Sequence, residues 1–107
     1  MRQLRPGELK AWLDDEQRKA PVLLDVREAN EFEYCRIDGS VLMPMGSVPA
    51  RMTELDASAP TVVICHHGGR SMQVAMFLER QGFSEVINLA GGVAAWAGEI
   101  DPAMPTY

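Results

Sequence analysis

The chain has 107 residues, of which 47% are hydrophobic and 23% charged, values typical of one globular domain with a modest core. Its net charge of −5 argues against nucleic acid or an anionic membrane as a partner, since both attract basic surfaces. No apolar stretch approaches the roughly 18 residues of a membrane span. The segment 1–8 contains no apolar signal region, so we expect a cytoplasmic protein.

Short apolar runs alternate with helical patterns along the chain. The predicted strands are 22–26, 41–43, 61–65 and 86–89, and the predicted helices are 6–13, 30–34, 48–55, 71–81 and a last one that follows Gly91-Gly92 and runs through Trp96. Pro6 suits the first turn of a helix, and Gly82 suits a helix end. The alternation predicts an α/β fold with a central, mostly parallel sheet of about five short strands and helices on both faces.

The sequence contains two cysteines, Cys35 and Cys65, thirty positions apart. Neither a disulfide framework nor a zinc site made of CxxC pairs can be built from them. A low cysteine count with one cysteine in a glycine-rich loop indicates a reducing compartment and a reactive thiol. We interpret Cys35 as a buried thiol without a role in the chemistry; the alternative is that it forms a disulfide with Cys65 during the reaction.

The run Cys-His-His-Gly-Gly-Arg-Ser, from Cys65 to Ser71, is the most informative motif. It joins a buried strand to a helix, where main-chain N–H groups converge and the helix dipole is positive, so the thiolate is favoured over the thiol. Gly68 and Gly69 let the loop curl and turn its amides inward. Arg70 adds a permanent positive charge. The motif predicts a cysteine nucleophile in an anion-binding loop, at the strand end where such sheets bind ligands.

Several loop residues also have simpler interpretations. His66 and His67 titrate near neutral pH and could donate a proton or hydrogen bond to substrate oxygens, or could contribute only their main-chain N–H groups. Adjacent side chains rarely point the same way, so we expect at most one of them to face a bound anion. A metal site made of Cys65 and both histidines is geometrically poor, because consecutive residues seldom converge on one ion. Ser71 could cap the helix or donate its hydroxyl to the sulfur.

The remaining loop residues could also have purely structural roles. Cys65 could be a small, inert hydrophobic side chain, although it precedes a polar loop rather than lying within an apolar run. Gly68 and Gly69 could be ordinary turn residues. Arg70 could be a solvated residue at a helix start, but cations are disfavoured there unless a nearby anion balances their charge.

Three separated motifs together resemble the rhodanese sulfurtransferases. They are the loop Cys65 to Ser71, the segment Leu23-Leu24-Asp25-Val26-Arg27-Glu28 with Glu31-Phe32 and Ile37-Asp38-Gly39-Ser40, and the segment Gly91-Gly92-Val93-Ala94-Ala95-Trp96. They follow the order of the family and cover the chain from about Arg2 to Trp96. The resemblance implies one rhodanese-like domain over residues 1–107.

The resemblance also implies a reaction. The Cys65 thiolate would attack the outer sulfur of thiosulfate or a persulfide donor and become a persulfide. A thiol, cyanide or a sulfur-carrier protein would then remove that sulfur. The loop amides and Arg70 would stabilise the anionic sulfur and orient the donor, and no metal or organic cofactor is implied.

Loop length separates this chemistry from a related one. Cys65 to Arg70 follows a Cys-x4-Arg pattern, whereas cysteine-dependent phosphatases and arsenate reductases use Cys-x5-Arg around a larger oxyanion. The shorter loop leaves room for one extra sulfur atom on the cysteine, so oxyanion chemistry is the enzymatic alternative. The non-enzymatic alternative is a rhodanese-like module that binds a partner. Cys65 and Arg70 argue against it, because such modules commonly lack the loop cysteine.

The chain departs from the family pattern at Cys35-Arg36-Ile37-Asp38-Gly39, where Gly-His-Ile-Pro-Gly is common. Together with the segment Gly91 to Trp96 and the ending Ile100 to Tyr107, this variant resembles the rhodanese domain attached to E1-like adenylylating enzymes. That domain hands sulfur to the activated C-terminus of a carrier protein.

The resemblance assigns Asp25 and Arg27 to the scaffold, with Arg27 able to pair with Glu31. The other structural assignments rest on the sequence itself. Trp96 is expected to pack the last helix against the sheet. Met72 and Met76, one helical turn apart, are interpreted as core residues, and Met43 with Met45 could line the mouth of the site.

Overall fold

A computed structural model describes residues 1–107, and its centre is one sheet of five parallel strands. The strands are β1 (Arg2–Leu4), β2 (Val22–Asp25), β3 (Val41–Leu42), β4 (Thr61–Ile64) and β5 (Val86–Leu89). Their order in the sheet is β1-β5-β4-β2-β3, and every neighbouring pair is parallel. The predicted α/β fold is therefore confirmed, with an all-parallel sheet in place of a mostly parallel one.

The edge strand β1 was not among the predicted strands. It has three residues, and Leu4 is the only buried one, so it carries no apolar run that a sequence pattern could reveal. It forms because its main chain pairs with β5, in the register Gln3 opposite Asn88. This pairing places a side chain from the start of the chain beside the middle of β5.

Four α-helices connect successive strands and a fifth follows β5: α1 (Pro6–Asp14), α2 (Ala29–Tyr34), α3 (Val48–Arg51), α4 (Gly69–Arg80) and α5 (Gly92–Glu99). The segment 48–55 was predicted as one helix, but it is a single α-turn with 3₁₀ turns at Met45–Ser47 and Met52–Glu54. Short helices are marginal without extensive packing, and Val48 is the only buried residue of this one. The helix predicted from Ser71 begins two residues earlier, at Gly69.

The helices cover both faces of the sheet, as the alternation of elements predicted. On one face α1 and α5 pack against the strands, and on the other face α3 and α4 do so. Successive strand residues therefore belong to different cores: Leu23 and Val62 face α1 and α5, while Leu24 and Val63 face α4. No helix is both long enough and apolar enough to cross a membrane.

The core confirms some predicted residues and corrects others. Trp96 packs α5 into the core on its face, as expected. Met76 is 44% exposed, so its interpretation as a core residue is wrong, because it lies on the outer side of α4. Met43 is buried in the core beside α4 and does not line the mouth of the site.

A buried ion pair lies at the carboxyl end of β2. Asp25 and Arg27 are both fully buried, and Arg27 Nη2 lies 2.7 Å from Asp25 Oδ2. Arg27 Nη2 also donates to the carbonyl oxygen of Cys35 at 2.6 Å, and Arg27 Nη1 donates to the main-chain oxygen of Glu31 at 3.3 Å. The expected pairing of Arg27 with the Glu31 carboxylate is therefore wrong, because the nearer Asp25 carboxylate takes that place. Arg27 instead ties α2 to the sheet.

Replacing Arg27 by methionine is expected to lower the free energy of unfolding by about 3–5 kcal/mol. The substitution leaves the Asp25 carboxylate buried and without its cation, which costs far more than loss of an exposed pair. Urea denaturation at neutral pH measures the change. The matched control is Arg51→Met, which removes an exposed pair with Glu54 and should cost less than about 1 kcal/mol. Equal losses in the two variants would contradict the assignment.

Candidate active site

Cys65 follows β4 directly and is 1% exposed. The main-chain N–H of Gly68 donates to its sulfur at 3.0 Å, and Ser71 Oγ lies 3.2 Å from the same atom. The sulfur therefore lies at the amino end of α4, where the helix dipole favours negative charge. This is the environment that the sequence motif predicted for the loop cysteine.

The two glycines of the loop, Gly68 and Gly69, differ in backbone conformation. Gly68 has φ of +109° and is the N-cap of α4, so its left-handed conformation turns the chain from the loop into the helix. Gly69 is already helical, and a Cβ there would meet nothing within 4 Å. The prediction that both glycines curl the loop therefore holds for Gly68 and is wrong for Gly69.

Gly92 is the glycine that the loop depends on most closely. A Cβ on this residue, which has φ of +58°, would lie 2.3 Å from the carbonyl oxygen of Cys65 and 2.4 Å from that of His66. The next two N–H groups, of Val93 and Ala94, donate to those same oxygens at 2.9 and 3.1 Å. The first turn of α5 thus rests on the main chain of the cysteine loop, and only glycine fits the contact.

The variant Gly92→Ala is expected to lose about 3 kcal/mol of stability or more, because its Cβ meets main-chain atoms that cannot move independently. Thermal or urea unfolding measures the loss. The control Gly98→Ala lies in the same helix, where a Cβ meets nothing within 4 Å, and should stay within about 1 kcal/mol of the wild type. Similar stabilities for the two variants would refute the close contact.

Ser71 is the third residue of α4 and does not cap it, since the N-cap is Gly68 and no side chain bonds there. Its hydroxyl instead donates to Asn88 Oδ1 at 2.5 Å. Asn88 Nδ2 donates in turn to Gln3 Oε1 at 2.9 Å and to the carbonyl oxygen of Gly68 at 3.3 Å. A hydrogen-bonded chain therefore connects β1 and β5 with Cys65.

Sequence reasoning missed Asn88 and Gln3 as site residues. Asn88 was included in a predicted strand without any further role, although it is a polar residue in a strand whose four residues are all buried. A buried amide needs partners for both its N–H groups and its oxygen, and that requirement was the available signal. Gln3 carried no signal, because the strand that holds it was itself not predicted.

Arg70 forms a two-pronged ion pair with Glu31 of α2. Its Nη1 and Nη2 atoms donate to the two carboxylate oxygens at 2.8 and 2.9 Å. Tyr107 donates its hydroxyl to Glu31 Oε2 at 2.7 Å, and Arg27 Nη1 donates to the Tyr107 oxygen at 3.0 Å. The hydrogen bonds from Arg70 hold the pKa of Glu31 well below its ordinary value, against the opposing effect of burial. Arg70 therefore reaches the site with its charge already paired.

The Glu31–Arg70 pair is expected to make stability depend on pH. Because the pKa of Glu31 is lowered in the folded state, the pair stabilises the protein above the ordinary carboxyl pKa and loses that contribution as pH falls. The stability difference between wild type and Glu31→Gln should be constant above about pH 6 and shrink below about pH 4.5. Urea denaturation across this range measures it, with Glu33→Gln, an exposed carboxylate of the same helix, as control. A difference that does not vary with pH would contradict the pairing.

His66, His67 and Tyr107 form a stack of rings. The His66 ring lies parallel to that of Tyr107, with centroids 3.9 Å apart and 7° between the planes. The His67 ring lies 3.9 Å from His66 on a tilted plane, so the adjacent side chains do associate, contrary to the expectation that they diverge. Burial, and then the neighbouring His67, lower the pKa of His66, which favours its neutral form.

The second cysteine lies apart from the loop cysteine. Cys35 packs in the core beside α1 and α5, whereas Cys65 packs in the core beside α4, on the other face of the sheet. Arg27 Nη1 lies 3.7 Å from the Cys35 sulfur. No group of three or more histidine, cysteine, aspartate or glutamate side chains is arranged to hold a metal ion.

Fold and site together define a parallel α/β protein with a buried thiol at the amino end of a helix. Comparison with known proteins identifies the family: the model of the rhodanese-like domain matches residues 5–99. The chain belongs to the rhodanese-like domain family. A crystal structure of a rhodanese-like domain protein from Staphylococcus aureus has a TM-score of 0.85 at 27% identity, covering 100% of this chain and 99% of that one.

Several curated relatives are named for sulfur transfer. Thiosulfate sulfurtransferase GlpE of Pseudomonas syringae is 38% identical over 80 residues, which are 75% of this chain and 76% of the relative. "Probable adenylyltransferase/sulfurtransferase MoeZ" of Mycobacterium tuberculosis is 33% identical over 106 residues, which are 97% of this chain and 26% of the relative. Other relatives are longer as well, and the chain spans 30% and 43% of two of them.

Proposed function

We propose that the protein is a sulfurtransferase that carries sulfane sulfur as a persulfide on Cys65. The observation that supports this most directly is the Gly68 N–H, which donates to the Cys65 sulfur at 3.0 Å from the amino end of α4. A main-chain donor in that position stabilises negative charge on sulfur without any rearrangement. The sulfurtransferase names of relatives that match most of their own length support the same reaction class.

The reaction has two displacement steps. In the first, the Cys65 thiolate attacks the outer sulfur of thiosulfate or of a persulfide, a new S–S bond forms, and the donor's S–S bond breaks. Sulfite, or the donor's thiolate, leaves with the electron pair. In the second step a thiol, cyanide or a sulfur-carrier protein attacks the outer sulfur, and the Cys65 thiolate leaves. The steps balance without an external oxidant or reductant.

The loop residues have distinct roles in this proposal. Main-chain N–H groups of the segment 66–71 form the cradle for the transferred sulfur, because they surround the amino end of α4. Arg70 stands at the rim, where Glu31 fixes its guanidinium, and it orients the donor from there. His66, neutral and stacked on Tyr107, offers a hydrogen bond to donor oxygens. His67 is exposed, so its side chain is accessible to an approaching acceptor.

The partner of the Arg70 guanidinium is relevant to the alternative function, a phosphatase or arsenate reductase. A phosphatase or arsenate reductase needs its loop arginine to face the bound oxyanion, in line with the general preference of guanidinium for two-pronged contacts. Here both prongs are occupied by Glu31. Thiosulfate is itself an oxyanion, so this pairing does not separate the two reactions, and the short Cys-x4-Arg loop is the feature that favours sulfur transfer.

Intact mass spectrometry tests the proposal. After brief exposure to thiosulfate or glutathione persulfide without reductant, the wild type should gain the mass of one sulfur atom, and cyanide should remove it. Cys65→Ser should gain nothing. The matched control Cys35→Ser, which alters the other buried thiol, should load like the wild type.

One result would contradict sulfur carriage at this site. If Cys65 alkylates rapidly with iodoacetamide, yet gains no sulfur from either donor, the thiol is reactive but the proposed chemistry is wrong. Turnover of arsenate or p-nitrophenyl phosphate by the wild type, absent in Cys65→Ser, would then identify the oxyanion reaction.

A further inference from the structure

Asn88 is fully enclosed behind the loop, with 1% of its surface exposed, and its amide can adopt only one orientation. The carbonyl oxygen of Gly68, 3.3 Å away, can only accept a hydrogen bond, so the group facing it is the Asn88 NH2. Gln3 Oε1 accepts the second N–H at 2.9 Å. The Asn88 oxygen must therefore face Ser71.

This orientation determines where Ser71 directs its only proton. Asn88 Oδ1 is an acceptor and lies 2.5 Å from Ser71 Oγ, so the Ser71 hydroxyl donates to it. Ser71 Oγ then meets the Cys65 sulfur, 3.2 Å away, with a lone pair. That contact is a hydrogen bond only when the sulfur carries a proton, as in the thiol.

Formation of the thiolate disturbs this arrangement in one of two ways. If the Ser71 hydroxyl continues to donate its hydrogen bond to Asn88, an oxygen lone pair of Ser71 faces the anionic sulfur. If Ser71 turns its proton to the sulfur, the buried Asn88 oxygen loses its donor, and an unsatisfied buried acceptor is costly. Either way the Asn88–Ser71 pair opposes the thiolate, whereas the Gly68 N–H and the helix dipole favour it.

We propose that Asn88 is a positioning residue that holds the Ser71 hydroxyl proton away from Cys65 and so restrains thiolate formation in the resting protein. Asn88 acts through Ser71 and does not touch the sulfur itself. The inference rests on the proposed function only in taking Cys65 as the reactive thiol. It does not depend on which sulfur donor or acceptor the protein uses.

The test is the pH profile of Cys65 alkylation by iodoacetamide, followed by mass spectrometry of the peptide that contains Cys65. In Asn88→Ala the Ser71 proton is free to bond the thiolate. The pH of half-maximal rate should fall by about one unit, with roughly tenfold faster alkylation below both midpoints. A merely structural role would loosen the loop and expose Cys65, now 1% exposed, and the resulting gain in alkylation rate would not depend on Ser71.

The double variant Asn88→Ala/Ser71→Ala shows whether Ser71 carries the effect. Ser71→Ala alone should not raise the midpoint, because in the natural sequence Ser71 does not donate to the sulfur. In the Asn88→Ala background the same substitution should raise the midpoint by about one unit, since it removes the freed donor. The effect of Ser71 therefore depends on whether Asn88 is present.

Three results would overturn the proposal. They are an unchanged or higher midpoint in Asn88→Ala, the same Asn88→Ala shift when Ser71 is already alanine, and a higher midpoint in Ser71→Ala alone. If Asn88→Ala does not unfold cooperatively, Asn88→Asp takes its place. Protonated, the carboxyl group donates to Gly68 or Gln3 and still accepts the Ser71 proton; ionised, it adds negative charge, so in neither form should the midpoint fall. A midpoint that falls in Asn88→Asp refutes the inference.

Alkylation needs no sulfur donor, so the two proposals can fail separately. Failure of the wild type to load sulfur refutes the sulfurtransferase function and leaves the alkylation profiles interpretable. Normal sulfur loading with midpoints that do not respond to Asn88 refutes the positioning role alone.

Discussion

The candidate site depends on one contact, the packing of the first turn of α5 against the main chain of the loop that follows β4. The first turn of a helix has N–H groups without partners in the helix, and here two of them bond the carbonyl oxygens of Cys65 and His66. The contact requires that no side chain project from Gly92, because a Cβ would overlap both oxygens. With the main chain held from behind, Gly68 can turn at positive φ and direct its own N–H to the sulfur. A helix that follows β5 therefore sets the direction of a thiol that follows β4.

A second chain of contacts runs from the core to the rim. Arg27 is balanced by Asp25 and donates to the main-chain oxygens of Glu31, within α2, and of Cys35, directly after it. This helix buries no residue of its own. Because α2 is held in this way, Glu31 meets Arg70 with both carboxylate oxygens. No buried side-chain nitrogen or oxygen atom lacks a partner, so the expensive burial of the ion pair at β2 is compensated locally.

The sequence predicts this molecule well where a local pattern exists. The apolar runs in β2 and β4, the largely apolar strand β5 and the glycine-rich loop after β4 could each be recognised from a few consecutive residues. Contacts between distant residues were not: Arg70 and Glu31 are 39 positions apart, and the sequence offers Arg70 several carboxylates. The role of Asn88 was not predicted for the same reason. It depends on the pairing of β5 with β1, which no apolar pattern in the sequence indicates.

The side-chain charges close to Cys65 nearly cancel. Arg70 is paired with Glu31, and the lowered pKa of His66 favours its neutral form. The positive potential at the sulfur therefore comes mainly from main-chain N–H groups and the amino end of α4, and it falls off within about one helical turn. A field of such short range does little to attract an anion from solution, but it acts fully on a sulfur atom bound to Cys65. In the proposed reaction, the loop thus stabilises the sulfur after it has been transferred, and the donor is selected at the rim by Arg70 and the stacked rings.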